Sequence, residues 1–155
     1  MEFMEQAPKL DALVVCIGGG GLISGSALSA HHLNPSIRVF GVEPADGNDT
    51  FLSLAAGRRV EIPPPSTVAD GLRAQVPGEI TFPIMQKHVE QVVLVTDEEI
   101  HATVKFLLTR MKVLVEPSGA APAAAVLFKK LPPGLERVGV LLSGGNVDFG
   151  LLAAF

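Results

Sequence analysis

Four consecutive glycines, Gly18–Gly21, are the residues of this sequence whose type and placement point most directly to chemistry. The apolar run 13–17 before them has the length and branching of a buried strand, and the small, apolar segment 22–32 after them is typical of a helix. A strand, a glycine turn and a helix in this order aim several backbone N–H groups at one point, where the helix dipole is positive. The pattern therefore favours an anion site, most often for phosphate, over a tight structural turn and over a flexible linker, which would have polar flanks.

The spacing around these glycines excludes two common nucleotide motifs. The dinucleotide pattern G-x-G-x-x-G needs a further glycine at position 22, 23 or 24, where Leu22, Ile23 and Ser24 stand. The nucleotide P-loop needs a lysine at the position that Ser26 occupies. The ligand is therefore expected to carry a phosphate without being an ordinary nucleotide.

Oxygen ligands for a metal ion occur in the loop 43–49, which follows a second apolar run, 37–42. Glu43 and Asp49 offer carboxylates and Gly47 can offer a carbonyl in a tight turn, a set that suits Mg²⁺ or Ca²⁺. Spacing alone favours a solvated acidic turn over a metal site.

A third candidate is the segment Ser143-Gly144-Gly145-Asn146, which follows the apolar run 137–142. These residue types favour turns, so a plain turn explains the segment. Its position after a buried strand favours a ligand contact equally, because ligands of parallel sheets gather beyond the carboxyl ends of the strands. Both interpretations stay open from the residues alone.

Composition excludes several classes of partner. The chain has 155 residues, of which 48% are hydrophobic, and a net charge of −4 with no basic cluster, which argues against nucleic acid. No apolar run approaches the roughly 20 residues of a membrane span, so no membrane partner is expected. The single cysteine, Cys16, lies in a predicted strand and is expected to be a buried apolar residue; its isolation favours a cytoplasmic setting.

The predicted elements alternate between strands and helices. Strand, helix and strand within about 30 residues form a right-handed βαβ unit, which requires a parallel sheet. Residues 58–80 are predicted to be irregular, and a capping box at 96–99 begins a helix whose apolar stripe is Ile100, Val104, Leu107, Leu108 and Met111. The fold class predicted is α/β, a three-layer open parallel sheet with helices on both faces. Its other elements are a helix end before residue 10, helices at 50–56, 82–88 and 120–130, a strand at 91–95, and a turn or helix at 147–155.

Five motifs in order, GGGGLISG, GVEPADGND, TVADGL, VEPSGA and LLSGGNVD, resemble the carboxyl-terminal half of fold-type-II pyridoxal-phosphate enzymes. The group most similar is the threonine dehydratase and serine racemase family, and the resemblance covers residues 10–150. It implies that residues 1–155 are a single partial domain, the cofactor-binding portion of the large domain. The amino-terminal half and the small domain of such an enzyme lie outside this stretch.

The resemblance also implies roles for individual residues. Gly18, Gly19, Gly20 and Gly21 would hold the cofactor phosphate, and the Ser143 hydroxyl would hydrogen-bond the pyridine nitrogen. Asn146 would support that turn, Gly71 would pass its backbone near the ring, and Glu116 would lie close to the cofactor. In this family the positions that correspond to Glu43, Gly47 and Asp49 bind a divalent cation. With the resemblance, a Mg²⁺ or Ca²⁺ site is at least as well supported as a solvated turn for this loop.

One feature of the family is missing from these residues. Its Schiff-base lysine lies in the amino-terminal half, and no lysine here has the surrounding motif; those present are Lys9, Lys87, Lys105, Lys112, Lys129 and Lys130. The prediction is the cofactor-binding portion of an ammonia-lyase or racemase for serine or threonine, inactive alone, and either homo-oligomeric or associated with the missing half. Two alternatives stay open: a non-catalytic phosphate-ligand-binding or regulatory module, and a structural fragment whose exposed sheet edge drives self-association.

Overall fold

The computed structural model describes residues 1–148 and residue 150. Most of the turn or helix predicted at 147–155 lies outside these residues. The strands are β1 (Ala12–Cys16), β2 (Arg38–Pro44), β3 (Gln91–Val95) and β4 (Val138–Val140). The helices are α1 (Glu2–Gln6), α2 (Gly21–Leu33), α3 (Asp49–Ala56), α4 (Thr81–His88), α5 (Asp97–Phe106) and α6 (Pro117–Leu127), with a 3-10 turn at Asp70–Leu72 and a π turn at Leu107–Met111.

The four strands form one parallel sheet in the order β3-β2-β1-β4. Ala12 of β1 lies opposite Arg38 of β2 on one side and opposite Val138 of β4 on the other. Because β1 and β2 are neighbours joined through α2, the predicted βαβ unit is confirmed. The loops that follow β1, β2 and β4 consequently emerge at the same edge of the sheet.

Side chains of β1 alternate between two hydrophobic cores, one on each face of the sheet. Val14 and Cys16 pack with residues of α5 and α6, whereas Leu13 and Val15 pack with residues of α2 and α4. A strand buried on both faces must be apolar throughout, which is why the run 13–17 carries no polar residue. The three-layer arrangement predicted from the sequence is confirmed.

Helix α5 departs from the sequence prediction in its second half. The capping box is present: the Thr96 hydroxyl accepts from the Glu99 amide at 3.3 Å, and the Glu99 carboxylate accepts from the Thr96 amide at 2.9 Å. The predicted apolar stripe holds through Leu107, which is buried in the core, but it is wrong at Met111, because a π turn replaces the α-helix over Leu107–Met111 and each π turn takes in an extra residue. Met111 is rotated off the core as a result, and 54% of it is exposed.

The long irregular segment 58–80 is irregular as predicted, apart from its 3-10 turn. Three of its residues, Thr67, Ala69 and Leu72, are buried, and Ala69 and Leu72 pack in the core on the α5 and α6 face of the sheet. The Thr67 hydroxyl and the Val68 amide both donate to the Asp97 carboxylate, which ties the segment to the start of α5. None of the helices in the described residues is both long and apolar enough to cross a membrane.

Candidate cofactor site

Loops from the carboxyl edge of the sheet enclose a cavity of about 330 Å³. The loop after β1 forms one side of it, and the loop after β4 contributes the hydroxyl of Ser143. Sequence-predicted residues that line it are Gly18, Gly19, Gly20, Gly21, Gly71, Glu116 and Ser143; the other lining residues are Cys16, Leu22, Leu72 and Ser118. Residues from distant parts of the chain therefore meet at the carboxyl edge of the sheet, where the loops after the neighbouring strands β1 and β4 come together.

The glycine loop takes a shape that side chains would obstruct. Gly20 precedes α2 with a φ of +89°, in the left-handed region that favours glycine. A Cβ atom on Gly18 would lie 2.9 Å from the carbonyl oxygen of Gly71, so the two chain segments approach closely only because the side chain is absent. In the described part of the chain, no main-chain carbonyl accepts from the amides of residues 18–21. These donors at the start of α2 can bind an anion.

The start of α4 and the residues just before it hold the glycine loop through hydrogen bonds to the Gly19 carbonyl. The Thr81 hydroxyl donates to the Gly19 carbonyl at 2.7 Å, and the Gly78 amide donates to the same carbonyl at 3.2 Å. Because this carbonyl is fixed from the α4 side, the peptide that follows it is oriented as well. Thr81 was not among the residues predicted from the sequence, since its contact with Gly19 spans 62 positions of the chain.

On the opposite side of the cavity, Ser143 lies next to Cys16. The Ser143 Oγ is 3.4 Å from the Cys16 Sγ, and Ser143 itself is exposed. Burial raises the pKa of the Cys16 thiol, so the thiol stays neutral beside the hydroxyl. Cys16 is buried as predicted, and it also lines the cavity, which its position in an apolar strand did not indicate.

Glu116 joins the start of α6 to the loop 143–146. Its amide donates to the Gly144 carbonyl at 3.0 Å, and its carboxylate accepts from the Asn146 amide at 2.8 Å. Asn146 does not line the 330 Å³ cavity; it lies beside it, in a polar cavity of about 630 Å³ shared with Asp70 and Arg73. Glu116 thus holds the loop that presents Ser143.

Gly71 is held in place by Ser118, a residue of the VEPSGA motif for which the sequence predicted no role. The Ser118 hydroxyl accepts from the Gly71 amide at 2.9 Å and donates to the Asp70 carboxylate at 3.4 Å. Ser118 is buried in the first turn of α6. Its place two residues after Glu116 was the available signal, because the start of a helix is where a short hydroxyl side chain can meet a neighbouring loop.

No lysine lines the cavity within the described residues. Its charged lining residue is Glu116, and the remaining polar groups are main-chain amides and small hydroxyl or thiol side chains. The cavity can therefore bind a phosphate and a polar ring, but its described walls offer no amine.

The acidic loop forms a separate site. Glu43 is fully buried, and its two carboxylate oxygens accept from the amides of Thr50 and Phe51 at 3.0 and 2.8 Å, which caps α3. Asp49 is also buried, and its Oδ2 has no hydrogen-bond partner among the described residues. Desolvation and the charge of Asp49 raise the pKa of Glu43 to about 8, and desolvation raises the pKa of Asp49 to about 6.

The chemistry of these two carboxyls fits a divalent cation. The described residues contain no group of three or more His, Cys, Asp or Glu side chains placed to hold a metal, so further ligands would be carbonyls or water. Gly47 lies in the same tight turn, where its amide donates to the Pro44 carbonyl at 2.9 Å. Two buried carboxylates with one oxygen unpaired are the kind of donor set that hard cations neutralise.

Comparison with known proteins identifies the family. Residues 1–144 match the family model described as pyridoxal-phosphate dependent enzyme. The chain belongs to this family. Pyridoxal-phosphate dependent enzymes provide a cofactor with a phosphate and a pyridine ring, so the match supports pyridoxal phosphate as the ligand class of the cavity. The family and fold predicted from the five motifs are both confirmed.

Individual relatives in the family are close to half identical to this chain over the part that aligns with it. Serine racemase of Schizosaccharomyces pombe is 46% identical over 154 residues, which are 99% of this chain and 48% of that protein. L-threo-3-hydroxyaspartate ammonia-lyase of Saccharomyces cerevisiae is 47% identical over 147 residues, 95% of this chain and 45% of that protein. The structure of maize serine racemase superposes with a TM-score of 0.93 at 43% identity, covering 99% of this chain and 48% of that chain. The chain thus spans about half the length of these relatives.

Proposed function

We propose that this chain is the cofactor-binding portion of a pyridoxal-phosphate dependent ammonia-lyase or racemase that acts on serine or threonine. The observation that carries the proposal is the cavity lined by Ser143 and by the glycine loop, whose amides donate to no main-chain carbonyl of the described residues. The relatives support the substrate class, because serine and 3-hydroxyaspartate are both 3-hydroxy amino acids.

In this proposal each lining residue has a binding or positioning task. The amides of residues 18–21 bind the phosphate, and the Ser143 hydroxyl bonds the ring nitrogen. Glu116 holds the Ser143 loop through Asn146, and Ser118 holds the Gly71 backbone beside the ring. When bound, pyridoxal phosphate supplies an electron sink for the bonds at the substrate Cα. A neutral hydroxyl leaves the ring nitrogen unprotonated, which favours β-elimination over transamination.

The amine that bonds the cofactor and takes the Cα proton is proposed to come from outside these residues. The cavity lining in the described part of the chain contains no lysine, and a nucleophilic amine is needed for this chemistry. We therefore expect the 155 residues alone to bind the cofactor without turning over an amino acid.

A divalent cation, Mg²⁺ or Ca²⁺, is proposed at Glu43, Asp49 and the carbonyl of Gly47. Its support is the buried carboxyl pair and the Asp49 Oδ2, which has no hydrogen-bond partner among the described residues. The cation would neutralise both carboxylates and order the loop between β2 and α3. Its task is structural, because neither carboxylate lines the cofactor cavity.

Equilibrium dialysis with pyridoxal phosphate tests the cofactor site. Binding should be displaced by inorganic phosphate, and pyridoxal without the phosphate should bind about tenfold or more weakly, since charge-assisted bonds to the amides are lost. After borohydride treatment, peptide mapping should find no lysine of the chain that carries reduced pyridoxal phosphate as a result of binding in the cavity. Assays for 2-oxo acid formation and for racemisation, with L-serine or L-threonine, should show no turnover.

Each measurement has an outcome that contradicts part of the proposal. Absence of phosphate-displaceable binding would contradict the cofactor site. Turnover by the 155 residues alone would contradict an external amine. Equal affinity for pyridoxal phosphate and for simple phosphate esters would favour the alternative function, a non-catalytic phosphate-ligand-binding or regulatory module.

A further inference from the structure

Two histidines from different helices, His31 and His88, face each other on the α2 and α4 side of the sheet. His31 lies in the last turn of α2, and His88 is the last residue of α4. Their Nδ1 atoms are 3.3 Å apart and their ring centroids 5.2 Å apart, with an angle of 40° between the ring planes. Both residues are half-buried, so the packing of the helices holds the pair while solvent can still reach it.

A hydrogen bond to the main chain fixes which nitrogen of the His31 ring carries the proton. The His31 Nε2 lies 2.9 Å from the Ile37 carbonyl oxygen, and a carbonyl can only accept, so Nε2 is the donor. In the neutral ring the Nδ1 lone pair is therefore available, and this is the atom that faces His88. A histidine that donates one N–H to a backbone carbonyl commonly binds a metal ion with its other nitrogen.

The separation of the two rings matches that of two ligands on one tetrahedral ion. Zn²⁺ binds imidazole nitrogens at about 2.0–2.1 Å, which places two such nitrogens about 3.3–3.4 Å apart and their ring centroids about 5.2–5.3 Å apart. A straight N–H···N hydrogen bond of the observed length would put the centroids about 5.6 Å apart. The observed separation of 5.2 Å fits the bent arrangement around an ion better.

The surroundings of the pair permit a positive ion. Helices α2 and α4 both end here, and the main-chain carbonyls at a helix C-terminus attract positive charge. The neighbouring Lys87 and His32 are exposed, so water weakens their repulsion of a cation. Imidazole ligands suit Zn²⁺, Cu²⁺ and Ni²⁺, whereas carboxylates such as those of Glu43 and Asp49 suit Mg²⁺ and Ca²⁺. The histidine pair and the acidic loop therefore favour different classes of ion.

We propose that His31 and His88 together bind one transition-metal ion, Zn²⁺ by the fit of their geometry, through both Nδ1 atoms. Water completes the coordination, because the described residues contain no group of three or more His, Cys, Asp or Glu side chains placed to hold a metal. Positions occupied by water make the ion exchangeable, in contrast to a closed structural zinc site.

Such an ion would cross-link two helices that begin at the cofactor cavity. Helix α2 begins at Gly21, and α4 begins at Thr81, whose hydroxyl donates to the Gly19 carbonyl. The Ser24 hydroxyl also donates to the Thr81 carbonyl at 3.4 Å, so the two helices are in contact near their starts. A metal ion at their opposite ends would join them a second time and steady the helices that position the glycine loop.

Calorimetric titration of the chain with zinc chloride tests the site. Excess Mg²⁺ is kept in the buffer to occupy the acidic loop, and no pyridoxal phosphate is added. The wild type should bind one Zn²⁺ per chain. His31→Ala and His88→Ala should each weaken this binding about tenfold or more, because each removes a ligand. His32→Ala is the matched control, since His32 is the exposed neighbour of His31 in α2, and it should bind like the wild type.

Nitrogen NMR of the two rings distinguishes coordination from simple packing. Without metal, His31 should carry its proton on Nε2, and His88 should carry its proton on Nδ1 and donate it to His31. With Zn²⁺, both rings should carry the proton on Nε2, because both Nδ1 atoms bind the ion. Melting curves in chelator show whether the variants fold. His88→Ala removes no hydrogen bond to the main chain of the described residues, so it keeps the test valid if His31→Ala does not fold.

Several results would overturn the metal site. One is equal Zn²⁺ affinity in the wild type and His88→Ala, and another is an equal loss of affinity in His32→Ala. A stoichiometry of one ion per two chains also contradicts it, because the ligands would then come from different copies. So does a proton that stays on Nδ1 of either ring in the presence of Zn²⁺. None of these measurements involves pyridoxal phosphate or an amino-acid substrate, so failure here is distinct from failure of the proposed function.

Discussion

The Cys16 Sγ and the Ser143 Oγ lie 3.4 Å apart, although 127 positions separate the two residues along the chain. Cys16 ends β1, and Ser143 follows β4, its neighbour in the sheet. The contact therefore places the loop after the last described strand beside the glycine loop that follows the first. Either atom can donate in this contact, so the Ser143 hydroxyl can accept from the neutral thiol and donate its own proton to a ligand.

Ser143→Ala should weaken pyridoxal phosphate binding by about fivefold, the equivalent of one hydrogen bond of about 1 kcal/mol. The amides that bind the phosphate are not changed by this substitution, so inorganic phosphate should bind both proteins with equal affinity. Dialysis with both ligands measures the difference. Ser66→Ala is the control, because Ser66 is exposed and does not line the cavity. Equal cofactor affinity in Ser143→Ala and the wild type would rule out a bond from Ser143 to the ring.

Glu116→Ala should loosen the loop 143–146 without unfolding the domain. The Glu116 carboxylate accepts from the Asn146 amide at 2.8 Å, and alanine removes this acceptor. Hydrogen exchange at the Asn146 amide should therefore become faster, and cofactor affinity should fall because Ser143 is no longer held. Glu116→Gln keeps an acceptor oxygen and should restore most of the protection. An Asn146 amide that exchanges equally fast in all three proteins would contradict this positioning role.

The sequence predicted the parts of the site that depend on local pattern and on parallel strands. An apolar strand followed by glycines predicts a turn at the edge of the sheet, and the same reasoning applies to Ser143 after β4. Because all the strands are parallel, these loops meet at one edge whatever the strand order. The residues alone therefore predicted one edge of the sheet for Gly18–Gly21 and Ser143, and the family resemblance was needed to expect the two in one cofactor site.

Residues that act through tertiary contacts could not be predicted in the same way. Thr81 and Ser118 look like ordinary helix-start residues, and only the packing of α4 and α6 brings them to Gly19 and Gly71. The π turn after Phe106 was missed for a related reason. Its apolar spacing fits an α-helix as well, and the conformation depends on how the segment joins the next loop.

Gly20→Ala should destabilise the domain by more than the strain of its backbone alone. The left-handed conformation costs a residue with a Cβ about 1–2 kcal/mol, and this Cβ would also lie 2.7 Å from Met85 Cε and 2.8 Å from Thr81 Oγ1. Gly57→Ala is the control for strain, because Gly57 has a φ of +67° and open space around it. Gly19→Ala is the control without strain or crowding and should stay within about 0.5 kcal/mol of the wild type.

Urea unfolding of these three variants gives the comparison directly. From most to least stable, the expected order is Gly19→Ala, then Gly57→Ala, then Gly20→Ala. Gly20→Ala should also lose affinity for pyridoxal phosphate, since Met85 and Thr81 must move and Thr81 holds the Gly19 carbonyl. Equal stability of Gly20→Ala and Gly57→Ala would show that α4 does not hold the glycine loop closely.

The buried carboxyl pair predicts how stability depends on pH when no divalent cation is present. Desolvation and the Asp49 charge raise the pKa of Glu43 from 4.5 to about 8, and desolvation raises the pKa of Asp49 from 3.8 to about 6. A raised pKa means that the folded state holds these protons more tightly than the unfolded state. Their stabilising effect is complete below about pH 4 and is lost as the pH rises through 6 toward 8. In chelator, the melting temperature should therefore fall across this window.

Added Mg²⁺ or Ca²⁺ should reverse that fall, because a cation favours the ionised carboxylates and binds the folded state only. Its stabilising effect should be small at pH 5 and should grow toward pH 8. Asp49→Asn should remove most of the cation effect and weaken the pH dependence, whose remainder comes from the desolvation of Glu43. Asp46→Asn, in the same loop but exposed, should change neither. Melting temperatures that are equal with chelator and with cation at pH 8 would exclude a metal site at Glu43 and Asp49.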